Sequence, residues 1–328
     1  MMLQNSSFYP KPQNPVKFFS TFKQKDFSAH KKGIYCLKWN HLGTSLASGS
    51  EDCTVKVWNL DGKGSLDKIC DLKDHTNSVE QLTWHPESPD VFGSVSSDKT
   101  LRIWDIRVSK KNIKTVNTKG SNLNISWSPD GNVIAVGNNE DYVSFYDFRN
   151  LTLQKQIKFE REVNEISWDL NGSIFLVTTS SESGTVGPVI VLDGKTLEYP
   201  SPLETLDFHR GKCYCIAIDP TGNYFATGAA DAYVALWDMA ELIPIKSFSK
   251  ENCQIRQLSF SHDGRYVATA AEDKKLDIFD IESENESWVL ECNSAQLSVA
   301  WNPKKHLLAY TLEEKDRSDC AINLFGSF

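Results

Sequence analysis

An all-β ring of seven four-stranded sheets, a seven-bladed β-propeller, is the fold class that this sequence predicts. A strand-ending aromatic or aliphatic residue recurs at Trp58, Trp104, Tyr146, Leu192, Trp237, Phe279 and Phe325, in steps of 46, 42, 46, 45, 42 and 46 residues. A period in this range corresponds to one propeller blade per repeat. Each unit also repeats one order of apolar alternating runs and turn residues, the mark of half-buried strands. The last unit ends at Phe325-Gly326-Ser327-Phe328, which leaves its outer strand unfilled. The segment from about Thr21 to Phe27 is expected to take that place as an N-terminal strand. Pairing with the last blade closes the ring and removes two free sheet edges.

The elements follow in order. Residues 1–20 contain Pro10, Pro12 and Pro15 among polar residues and are expected to form a flexible tail. Residues 1–32 hold six lysines against one aspartate, a charge expected to be solvated. The propeller occupies residues 21–328. A first strand ends each unit's opening segment: Ile34 to Trp39, Val79 to Trp84, Leu123 to Trp127, Val163 to Trp168, Cys213 to Ile218, Ile255 to Phe260 and Leu297 to Trp301. Turns follow, as in Ser128-Pro129-Asp130-Gly131, Asp219-Pro220-Thr221-Gly222 and His262-Asp263-Gly264, with residues that set or tolerate tight-turn dihedrals. A second strand, such as Leu46-Ala47-Ser48-Gly49-Ser50, precedes the third, which ends at the recurring position. The fourth strand is less regular. Units four and seven carry longer stretches, 180–188 and 313–319, expected to be surface loops.

Bulk properties restrict function. The net charge of −8 over 328 residues argues against a dedicated nucleic-acid binder. Cysteines 36, 53, 70, 213, 215, 253, 292 and 320 show no CxxC pair and no Cys/His cluster of metal spacing. They read as reduced packing residues of a cytosolic or nuclear protein, with no metal and no cofactor expected. The start lacks a signal-peptide apolar region, and no apolar run reaches membrane-spanning length. Phosphate-binding glycine loops, HExxH and GxSxG are absent from the sequence.

Trp104-Asp105 and Trp237-Asp238, with Trp58-Asn59, Tyr146-Asp147 and Phe279-Asp280 as variants, identify the chain as resembling the WD-repeat family. An aspartate stands six residues before four of the third-strand aromatics, and Ser or Thr four residues before that. The resemblance implies a hydrogen-bonded tetrad inside three blades: His30–Ser48–Asp52–Trp58, His75–Ser94–Asp98–Trp104 and His209–Thr227–Asp231–Trp237. Ser, His and Asp also suggest a hydrolase triad. Three recurrences at repeat spacing, each ending in an indole donor, favour a structural role, and no catalytic residue is expected.

The family's geometry further implies exposed partner-binding positions four residues before each first-strand end: Tyr35, Glu80, Leu123, Asn164, Tyr214, Arg256 and Leu297. A second ring lies beside the turn aspartates: Glu51, Ser97, Asn139, Ala230 and Glu272. Tyrosine and arginine are common interface anchors. Asn117-Thr118-Lys119-Gly120, Glu162-Val163-Asn164-Glu165-Ile166-Ser167-Trp168 and Arg256-Gln257-Leu258-Ser259-Phe260-Ser261-His262-Asp263-Gly264 go beyond the generic repeat. They resemble the branch formed by third subunits of the THO, or transcription–export (TREX), complex. That branch implies a nuclear, non-enzymatic scaffold in mRNA packaging, processing and export. Its partners would be other THO subunits and export factors, with RNA contacted mainly through them and no membrane or small-molecule ligand. Two alternatives stay open. Trp104-Asp105-Ile106-Arg107 is a WDxR sequence, which in some family members docks a cullin–RING ubiquitin-ligase adaptor through the arginine, here Arg107. The other is a scaffold of a chromatin-modifying complex.

Overall fold

The computed structural model describes residues 15–108, 113–180, 186–200, 205–250, 253–283, 287–313 and 319–328. Within them the strands assemble into seven antiparallel sheets of four. The first strand of each blade is innermost: Ile34–Trp39, Val79–Trp84, Asn122–Trp127, Glu162–Trp168, Cys213–Ile218, Ile255–Phe260 and Gln296–Trp301. Each of these packs against its counterpart in the next blade, and the seventh against the first, so the strands surround a central channel.

The ring closes as the chain ends predict. Strand Lys23–His30 pairs antiparallel with Cys320–Gly326, in a register running from Lys23 opposite Gly326 to His30 opposite Cys320. The seventh sheet is therefore built from both ends of the described chain. Side-chain hydrogen bonds also lock blade one to blade seven. The Trp39 indole donates to the Ala300 carbonyl at 3.2 Å, and the Thr311 hydroxyl donates to the Ile34 carbonyl at 3.0 Å.

The apolar core lies between the blades. Among the described residues it divides into seven clusters, each drawing side chains from two adjacent blades. Flat sheets stacked around an axis must bury both faces, which explains the nearly continuous burial of second strands such as Ser45–Ser50 and Tyr266–Ala271. Close stacking also explains two glycines in those strands. A Cβ on Gly49 would lie 2.7 Å from Val79 of the next blade, and one on Gly228 would lie 2.5 Å from Ile255.

The expected flexible segment through residue 20 needs correction at its inner end. Pro15–Phe19 forms a short helix, and Phe19 is fully buried in the cluster between blades six and seven. Its ring meets Tyr266 at 4.9 Å and Phe325 at 6.1 Å, with Phe18 and Phe22 packed alongside. The Pro and Lys content of the segment hid an aromatic anchor, Phe18-Phe19 with Phe22. Residues 1–14 lie outside the described residues. So do 181–185 and 314–318, which make up most of the two expected surface loops.

Candidate interaction face

Each polar tetrad begins with a fully buried hydroxyl. Ser48, Ser94 and Thr227 sit on second strands and have no solvent exposure. Each hydroxyl oxygen accepts the indole N–H of its third-strand tryptophan, at 3.0 Å from Trp58, 2.8 Å from Trp104 and 2.9 Å from Trp237. Each also lies 2.8 Å from Nε2 of its histidine. The opposite ring nitrogen faces the turn aspartate, at 3.1 Å for His30–Asp52, 2.8 Å for His75–Asp98 and 3.2 Å for His209–Asp231. One neutral tautomer satisfies every atom: Nδ1–H donates to the carboxylate, and the hydroxyl donates to Nε2.

The aspartate then staples two loops. Asp98 accepts the backbone N–H of Thr76, from the segment entering the blade, and that of Thr100, from the turn between second and third strands. Asp52 does the same with Lys31 and Thr54, and Asp231 with Arg210 and Tyr233. Burial raises the carboxyls of Asp52 and Asp98. Hydrogen bonds from the histidine and a threonine hydroxyl outweigh it and hold both below the ordinary range. Burial pushes the His30 and His75 imidazoles down, against the pull of the neighbouring aspartates. A buried, committed hydroxyl offers no approach to a substrate, so this arrangement organises loops.

Above these staples lies the face they organise. Every innermost strand breaks register once, between Ile34 and Cys36, Val79 and Gln81, Asn122 and Asn124, Val163 and Glu165, Cys213 and Cys215, Ile255 and Gln257, and Gln296 and Ser298. The residues skipped are Tyr35, Glu80, Leu123, Asn164, Tyr214, Arg256 and Leu297. A bulge leaves one residue unpaired and re-aims its side chain, so seven bulges turn seven side chains off the sheets at one end of the channel.

Their charges are largely paired on the surface. Glu51 hydrogen-bonds Tyr35 and lies 3.2 Å from Lys32. Glu80 accepts from Ser78 at 2.5 Å and Ser97 at 2.7 Å. The Arg256 guanidinium lies 4.7 Å over the Tyr214 ring and donates through Nε to Glu272 at 2.8 Å. Asn164 carries a buried side-chain nitrogen without a hydrogen-bond partner. Arg107 stands apart: strand Thr100–Asp105 carries the chain to the opposite face. There Arg107 is 63% exposed, with its guanidinium 2.7 Å from Asp105 and 3.6 Å from Asp90. The channel between the faces is polar where Gln81 donates to Glu165 at 2.7 Å, and burial pushes the Glu165 carboxyl up to about 7. Toward the Arg107 face it widens into a cavity of about 430 Å³, rimmed by Trp84, Trp127, Trp168 and Trp301.

The THOC3 beta-propeller domain family matches residues 30–311. THO complex subunit 3 of Arabidopsis thaliana is 41% identical over 301 residues, covering 91% of this chain and 92% of that protein. This chain belongs to the THOC3 β-propeller family. More distant relatives frame that membership. The WD repeat-containing protein AAC3 of Dictyostelium discoideum is 33% identical, over 94% of this chain and 68% of its own length. Pre-mRNA-processing factor 19 of Oryza sativa subsp. japonica is 28% identical, over 77% of this chain and 48% of its own length.

In this family member two features of the polar networks escaped sequence reasoning. Thr54 and Thr100 each donate a hydroxyl to the tetrad aspartate at 2.6 Å. Their position two residues after the aspartate was the available signal. In blade six Thr269 and Asp273 occur without a tetrad histidine. The side chain of Lys250, 4% exposed, enters instead and meets Asp273 at 3.1 Å and Asp277 more closely. Lys250 stands five residues before the innermost strand Ile255–Phe260, one residue off the four-residue spacing of the tetrad histidines, and its long stem carries the ammonium into the site.

Proposed function

We propose that this chain is a non-enzymatic scaffold subunit of a THO assembly, acting in the nucleus in mRNA packaging, processing and export. The observation that carries the reading is the 41% identity to THO complex subunit 3 across 92% of that protein's length. The physical surface agrees with it. The bulge ring offers two tyrosines, two leucines, an arginine and a glutamate, a chemistry suited to protein partners rather than to a phosphate backbone. Other THO subunits and export factors are the partners we propose, with RNA reached through them. No helix among the described residues is long and apolar enough to cross a membrane. Arg107, the residue a ligase adaptor would need, has its guanidinium engaged by Asp105.

Native affinity purification of the full chain from nuclear extract tests the proposal. Stoichiometric recovery of THO subunits is the expected result. Recovery of a cullin adaptor or a histone-modifying enzyme in their place would overturn it.

A further inference from the structure

The turns that follow the innermost strands of blades six and seven lie side by side on the face opposite the bulge ring. One carries His262 and Asp263, and the other His306. The chain separates them by 43 residues, yet His306 Nε2 lies 3.0 Å from Asp263 Oδ2. The imidazoles of His262 and His306 meet at 4.4 Å between centroids, inclined at 72°. One donor atom from each of the three residues falls within 4.8 Å of the other two, the only such trio among the described residues. His262 Nδ1 is buried and has no hydrogen-bond partner.

The three side chains are also oriented in advance. Asp263 Oδ1 accepts from the Ser261 hydroxyl at 2.5 Å, which leaves Oδ2 for the histidines. The His306 ring is wedged edge-on between Phe18 at 5.1 Å, Tyr266 at 5.7 Å and Trp301 at 6.2 Å.

We propose that His262, Asp263 and His306 form a zinc site bridging blades six and seven, with water in the fourth position. Two imidazoles and one carboxylate suit zinc better than calcium or magnesium, which take oxygen ligands. With zinc–ligand distances of about 2.0–2.2 Å, ligand atoms in a tetrahedral site stand roughly 3.3 Å apart. Side-chain rotations of about 1 Å therefore close the trio. Zinc takes the place of the Asp263–His306 hydrogen bond, with His306 bound through Nε2 as a neutral imidazole whose single proton sits on Nδ1. No two of these ligands form a short metal-binding motif, so the spacing argument against a zinc site did not detect them.

Calorimetric titration of the full-length protein with zinc, repeated with cobalt(II) while recording visible absorption, tests the site. One equivalent should bind with the absorption of a four-coordinate cobalt centre. His262→Ala, Asp263→Asn and His306→Ala should each weaken binding tenfold or more, while His41→Ala leaves it unchanged. His262→Ala removes no hydrogen bond at the orphaned Nδ1, so it keeps the test valid if the other variants fold poorly. Absence of stoichiometric binding in the wild type, or equal binding in a cooperatively folded His262→Ala variant, would overturn the proposal.

Discussion

Four donors converge on the Asp98 side chain: His75 Nδ1, the backbone N–H groups of Thr76 and Thr100, and the Thr100 hydroxyl. Asparagine at 98 would keep the shape but present an amide N–H₂ to donors, leaving buried groups unmatched. Asp98→Asn should therefore destabilise the propeller by at least about 1 kcal/mol. Urea denaturation measures this, and an unchanged midpoint would count against the network's structural role. The same groups set a pH dependence. The His30 and His75 imidazoles are lowered from 6.5, so the unfolded chain takes up protons first. Their contribution to stability is complete above about 6.5 and is lost as pH falls through their lowered native values. Asp52 and Asp98, lowered from 3.8, add a further loss at more acid pH. Glu165 acts oppositely: raised from 4.5 to about 7, its contribution is present below 4.5 and lost as pH rises through 7. Glu165→Gln should therefore lose stability more steeply than wild type between pH 7 and 5. Parallel urea midpoints for the two proteins would refute this sign.

At the scale of the element, one bulge per innermost strand governs the candidate surface. Counting four residues back from each strand-ending position, as the WD-repeat resemblance implies, lands on the skipped residue. What that spacing could not convey is the pairing among ring residues. Arg256 over Tyr214, joined to Glu272, connects the innermost strand of blade five with the innermost strand and a turn of blade six. Arg256 is exposed and its ion pair is solvent-screened, so Arg256→Ala should barely move the melting temperature. If the bulge ring is the docking face, the same change should weaken capture of THO subunits about fivefold or more, the loss of an interface anchor. Unaltered capture would move the docking face elsewhere.

For the whole molecule, closure and the N-terminal helix act on the same junction. Phe19 is buried among side chains of blades six and seven, next to the sheet that joins the two ends of the chain. Phe19→Ala should cost about 3 kcal/mol or more and should lower the cooperative melt of the entire ring, read by calorimetry. A separate early transition would show instead that the helix is independent of the ring. By itself the sequence determined the number of blades and the strand that closes them, and its resemblance to the WD-repeat family implied the tetrad partners. The blade count follows from a periodic pattern, in which sequence separation maps directly onto strand geometry. Only the tertiary structure decided that Phe19 is anchored and that His262 and Asp263 meet His306. Each of these depends on how neighbouring blades stack. Stacking brings together residues that no local period relates, through burial and charge pairing across a junction.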